Sequence, residues 1–171
     1  MLFVLAGQVV VAQTNYTPIF KNNGKVFDVP TAVDVIDHKA TYKILIDINT
    51  SPGLPADVNE NIENIARIVN LHAAAGISRK KMKVIAVFHG AAVAGLVNNE
   101  VYKEKNKVDI NPNLALLKAL NEEGVELYVC GQTLARRNID AKTISTDVVP
   151  VLSAITTIST YAAKGYTVFK Y

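Results

Sequence analysis

One cysteine, Cys130, and one of the three histidines, His89, stand where side chains could do chemistry. The stretch 125–131 reads as a short β-strand ending in the thiol, and 132–137 reads as the first turns of a helix. A thiolate at such a junction faces unpaired backbone N–H groups and the positive end of the helix dipole. That setting lowers a cysteine pKa and makes the sulfur nucleophilic. Arg136 and Arg137 add positive charge one turn further on. The alternative is a buried thiol that packs as a small hydrophobe. His89 also lies at a strand exit, whereas His72 falls inside a helix and His38 in an N-terminal arm. A histidine near a thiol can serve as its base or ion-pair partner. A histidine at a strand end can equally do no more than bond a neighbouring backbone group.

Positioning these groups requires an alternation of strands and helices. Residues 42–49 place β-branched side chains at period two and read as a strand. Residues 59–75 carry Ile62, Ile65, Ala66, Val69 and Ala73 on one stripe, and Gly76 stops the helix. Residues 82–90 form a nearly continuous apolar strand, as expected in a sheet covered on both faces. Residues 91–97 read as a short helix of small residues and 98–109 as a mobile polar loop. Asn111 and Pro112 start a helix with Leu114, Leu117 and Leu120 on its apolar side, and Gly124 ends it. Pro150 opens a last helix with Leu152, Ile155, Ile158 and Ala162 inward, closed by Gly165, before a final strand at 166–171. The order β-α-β-α-β-α-β predicts a three-layer α/β/α domain, its mainly parallel sheet having about five strands. The additional strand is expected from the arm.

In open α/β sheets, ligands bind beyond the carboxyl ends of the strands. Three exits converge there: Asn49, His89 with Gly90, and Cys130 with Gly131 and Gln132. Asn49, His89, Gly90, Gly131, Gln132 and Arg136 are therefore the candidate pocket residues around Cys130. No glycine-rich phosphate loop is present, since neither His89-Gly90 nor Cys130-Gly131 has the G-x-G-x-x-G spacing. A metal site built on Cys130 and His89 would need a third ligand, and none is evident. No cofactor is called for.

Length and composition narrow the classes. A chain of 171 residues, half hydrophobic and 19% charged, is an ordinary globular domain rather than a disordered segment. The net charge of +3, without a Lys/Arg run, gives nucleic-acid binding no support. Residues 1–20 carry no charge, and 2–12 form an apolar run of signal-peptide length, with Val10 and Ala12 offering small residues for cleavage. The run is too short to span a membrane, so no membrane span is expected in the mature form. The expected division is a signal-peptide remnant at 1–13, an extended arm at 14–40 and an α/β domain at 41–171. Export would make the protein periplasmic or secreted; the alternative for the run is an N-terminal strand in a cytoplasmic protein. The segment 91–97 and the valine-rich arm are expected to expose apolar surface, which predicts a homo-oligomer.

From about residue 42 to 171 the chain resembles the DsrE/DsrF-like family, of the sulfur-relay TusD/YchN type. The resemblance rests on Val87-Phe88-His89-Gly90, on the segment 121–132 that runs helix, glycine, strand and cysteine, and on the ending Gly165-Tyr166-Thr167-Val168-Phe169. It implies that Cys130 carries a persulfide, received from one sulfur donor protein and passed to an acceptor, with His89 lining the pocket. It also implies a trimer or hexamer with sites near subunit contacts. Asn138 stands where relay members often have glycine, which implies a different turn after the helix. Three functions remain open: a persulfide carrier or sulfurtransferase-like protein, an exported non-catalytic module that binds a small ligand or a partner, and a thiol redox sensor cycling through sulfenic acid. With no second cysteine in the chain, a sensor would lack a resolving partner.

Overall fold

The computed structural model describes residues 15–171. The expected signal-peptide remnant at 1–13 lies outside the described residues. Five strands form one wholly parallel sheet in the order β6-β5-β4-β3-β7. They are β3 (Tyr42–Ile48), β4 (Met82–Phe88), β5 (Glu126–Cys130), β6 (Val149–Val151) and β7 (Thr167–Lys170). Helices α1 (Glu60–Ala74), α2 (Asn99–Asn106), α3 (Asn113–Glu122), α4 (Gly131–Arg136) and α5 (Ala154–Ala163) complete the main domain.

The path of the chain sets the layers. From β3 through β4 and β5 to β6 it steps in one direction, and right-handed crossovers keep the intervening helices on one face. It then returns across the whole sheet from β6 to β7, which puts α5 on the opposite face. The period of two in the strands feeds both layers. Ile44, Ile46, Ile48, Val84, Ala86, Phe88, Leu127 and Val129 join the large core under α1 and α3. Leu45, Ile85, Val87 and Cys130 join a smaller core with Ala154 of α5. Phe88, Ile46 and Leu117 are fully buried, each worth roughly 1.5–3 kcal/mol relative to exposure.

The arm differs from expectation. It supplies no strand to the main sheet; β1 (Asn15–Tyr16) and β2 (Val26–Phe27) pair antiparallel in a separate ribbon. Buried Asn70 of α1 explains why the arm stays against the helix rather than at a sheet edge. Its Oδ1 accepts the N–H groups of Ile19 and Phe20, each at 3.0 Å, and its amide donates to the carbonyls of Asn23 and Gly24. Phe20 and Val26 enter the core from this side.

The fifth strand is instead β6, built on the residues expected to open the last helix. Pro150 lies within this strand, at the sheet edge, where a missing N–H breaks no ladder. The helix starts later, capped by the Ser153 hydroxyl on the Thr156 N–H. That shift turns Leu152, Ile155 and Ala162 outward instead of inward, and leaves Ile158 half-buried. Two further expectations change. The 98–109 segment is not a loop throughout: it holds α2, whose cap Asn98 accepts the Val101 N–H and whose Tyr102 is buried. The 91–97 segment exposes only Ala91 and Ala94 of its apolar side chains, because Ala92, Val93, Leu96 and Val97 belong to the large core. After α4, Asn138 takes a left-handed conformation with φ 52°, a geometry that asparagine tolerates and glycine favours.

Candidate functional site

Cys130 is the last residue of β5, and His89 follows the last residue of β4. Val129 pairs with Phe88, so the next residues on the two chains are neighbours at the sheet's carboxyl edge. Both side chains line one cavity of about 460 Å3, together with Asp47, Gln132, Thr133 and Arg136. Alternation along the strands places Leu45, Val87 and Cys130 on the α5 face, and Asp47 and His89 share that parity. The first turn of α5 closes the other side of the cavity through Ser153, Ala154, Ile155 and Ile158.

The thiol is 5% exposed and sits at the cavity floor. Burial pushes it up, but the nearby Thr133 hydroxyl and the backbone N–H groups of Ala154, Thr133 and Gln132, which favour the charged form, outweigh this and leave it below its ordinary value. Thr133 also accepts the Gly90 N–H at 3.4 Å, which ties the exit of β4 to the thiolate's donor. Three of the four donor groups belong to the start of the six-residue α4, and one to the start of α5, which is ten residues long. These donor groups, not the arginines, lower the thiol. Both guanidinium groups are exposed to water, which screens them. Arg136 lines the thiol's cavity, whereas Arg137 faces a separate, more polar one of about 310 Å3 lined by Ser51, Asn59, Tyr102 and Asn113.

His89 Nε2 meets Asp47 Oδ1 at 2.7 Å, with the Asp47 side chain 11% exposed. This fixes the imidazole against β3 and leaves Nδ1 without a hydrogen bond among the described residues. Asp47, His89 and Cys130 share the cavity without converging, since no group of three or more His, Cys, Asp or Glu side chains among the described residues could hold a metal ion.

The remaining expected pocket residues shape the backbone and do not line the cavity. The Asn49 carbonyl accepts the Ala91 N–H at 3.0 Å, and its N–H donates to Tyr171. Gly90 has φ 56°, and a Cβ there would stand 2.9 Å from the Asn49 carbonyl oxygen. Gly131 lies against β6, where a Cβ would meet the Val151 carbonyl oxygen at 2.7 Å. Glycine at both positions permits a close approach of backbone that any side chain would prevent.

Sequence reasoning missed two participants. Asp47 is the one acidic residue of β3 and lies at its carboxyl end, a signal that was available. The Ala154 N–H was hidden by reading Pro150 as a helix start; Ser153 with Thr156 three residues on marks the true cap.

The DsrE/DsrF-like family matches residues 43–171. Among solved structures, a protein of unknown function from Methanobacterium thermoautotrophicum superposes with a TM-score of 0.56 at 17% identity, covering 76% of this chain and 99% of that one. The ychN protein from E. coli superposes with a TM-score of 0.53 at 13% identity, covering 75% of this chain and 99% of its own. No curated protein matches the sequence. Among the described residues no helix is long and apolar enough to cross a membrane.

Proposed function

The chain belongs to the DsrE/DsrF-like family, and on that premise we propose that it is a sulfur carrier that holds sulfane sulfur as a persulfide on Cys130. The observation that carries this reading is the set of donors around the thiol. The Thr133 hydroxyl and three backbone N–H groups favour a thiolate against the opposing effect of burial, and Cys130 lines an open cavity. A persulfide formed there would extend from Sγ into the cavity, past Thr133 and toward His89. The thiolate attacks the outer sulfur of a donor persulfide. A new S–S bond forms at Cys130, the donor's S–S bond breaks, and its electron pair leaves with the donor thiolate. Passing the sulfur on repeats the step with an acceptor thiolate as nucleophile. His89, held by Asp47, lines the same cavity.

The test is to incubate the purified protein with inorganic polysulfide and read the intact mass. The expected result is the gain of one sulfur atom, reversed by a reducing thiol and absent in Cys130→Ser. A native protein that gains no sulfur while an unfolded control does would remove the reading.

We also propose that the protein works as a homo-oligomer, a trimer or hexamer by family resemblance. Leu152, just before the cap of α5, is 72% exposed, and Val149 of β6 is 54% exposed. Such an apolar rim is more than an isolated chain usually leaves in water. Light scattering should give a multiple of the chain mass, reduced by Leu152→Ser with Val149→Ser; a monomer at micromolar concentration would contradict it.

A further inference from the structure

The cavity at Cys130 is larger and more apolar than inorganic sulfur requires. Its volume of about 460 Å3 falls in the range, roughly 300–1,000 Å3, where pockets enclose organic ligands. A thiosulfate or short polysulfide ion is compact and strongly hydrated. Such an ion would leave Ala154, Ile155 and Ile158, which form one wall, without a partner.

Charge is distributed unevenly across the same cavity. Its carboxylate, Asp47, is engaged by His89 at 2.7 Å. Its guanidinium, Arg136, makes no ion pair and no side-chain hydrogen bond among the described residues; the ion pairs there use His38, His89, Lys103 and Lys118. A ligand that fills this space therefore meets a thiolate at the floor, an aliphatic wall and an unpaired cation at the edge. A planar carboxylate matches the fork of a guanidinium.

We propose that the sulfur donor bound here is a small organic persulfide that carries a carboxylate: the carboxylate pairs with Arg136, the carbon body lies on Ile155 and Ile158, and the terminal sulfur meets Cys130. This inference rests on the persulfide-carrier reading above and names its substrate class. In the transfer, the Cys130 thiolate attacks the outer sulfur of R–S–SH. The bond between the two donor sulfurs breaks, R–S⁻ leaves with the electron pair, and water supplies its proton. The products are Cys130–S–SH and R–SH, with no oxidant or reductant consumed.

The experiment compares loading rates by intact mass for persulfides of 3-mercaptopropionate, of its neutral amide and of cysteamine, with inorganic polysulfide alongside. Each rate is normalised to that of an unstructured cysteine peptide, which removes intrinsic donor reactivity. The native protein should prefer the carboxylate donor over the cationic one by about fivefold, the upper end for an exposed ion pair. Arg136→Gln should abolish the preference, and Arg136→Glu should reverse it. Lengthening the carboxylate donor by two methylenes should speed loading of the native protein but not of Ile155→Ser. Both positions are exposed, so these variants keep the fold. Equal normalised rates for all three organic donors, or a preference that survives Arg136→Gln, would overturn the proposal. Faster loading by a persulfidated cysteine peptide than by every small donor would assign the cavity to a protein tail and overturn it too. Loading by polysulfide but by no organic donor would overturn this proposal and leave the carrier reading standing, whereas loading by nothing would remove both.

Discussion

Replacing Thr133 by valine tests the origin of the thiol's acidity. Valine keeps the shape of this buried side chain and deletes its hydroxyl, one of the four donor groups that favour the thiolate. A hydrogen bond to a charged group contributes roughly 1.5–3 kcal/mol. The lower figure is appropriate because three backbone donors remain and the cavity admits water. One pKa unit corresponds to about 1.36 kcal/mol, so the Cys130 pKa should rise by about one unit. Below that pKa the thiolate population falls about tenfold, but a more basic thiolate is intrinsically more nucleophilic, with a Brønsted coefficient of about 0.4–0.5. At pH below the native midpoint the net effect on iodoacetamide alkylation is a slowing of about threefold, with the midpoint of the pH profile displaced upward by about one unit. Thr133→Ser retains the hydroxyl and should leave the midpoint in place. A valine variant with an unshifted midpoint would refute the assignment of the hydroxyl as a donor. A native midpoint at or above that of an unstructured cysteine would refute the whole account of the donors.

Other consequences follow from the same geometry. Because the folded thiol lies below its unfolded value, its contribution to stability is complete above the unfolded value and is lost as pH falls through the folded one. Denaturant unfolding of the native protein and of Cys130→Ala between pH 7 and 9 should therefore diverge in the native protein's favour as pH rises, and a constant difference would contradict the sign. Gly131→Ala should cost about 1–3 kcal/mol, because its Cβ meets the backbone of β6 and not a side chain that can yield; urea titration reads this. Asn70→Ala should cost about 3 kcal/mol by leaving buried N–H and carbonyl groups of the arm unpaired. Hydrogen exchange should then quicken at residues 19–24 while β4 stays protected; equal quickening in both would show that the arm and the sheet are a single cooperative unit.

Most of the framework could be read from the sequence because burial imposes a period. Strand β3 places isoleucines at period two, β4 is a nearly continuous apolar run, α1 has a clean stripe, and Gly76, Gly124 and Gly165 stop their helices with positive φ. The errors have common causes. Val149-Pro150-Val151 is too short to show a period, and proline is as acceptable in an edge strand as in a helix's first turn. The arm's place against α1 depends on Asn70, a polar residue inside a helical stripe whose partners lie about fifty positions away. Cys130 and His89 were found from their strand exits, and the structure brings both to one cavity. Asn49, Gly90 and Gly131 were found by the same rule, but their contribution is backbone approach. The rule locates the carboxyl edge and does not tell which side chains point into the cavity.

The dependence of the thiol on Ala154 also has a consequence in time. During synthesis, β5 and Cys130 emerge well before β6, α5 and β7, and N-terminal segments begin to fold first. Until the last elements dock, the cysteine lacks the α5 donor and the wall of its cavity. The nascent chain therefore carries a thiol with the α4 donors alone, and its complete setting appears only when β7 completes the far edge of the sheet and the return crossing lays α5 over β3 and β4. Reactivity at Cys130 is thus a reporter of finished folding: electrophiles should distinguish a completed molecule from one arrested a few steps earlier, even where the large core has already closed.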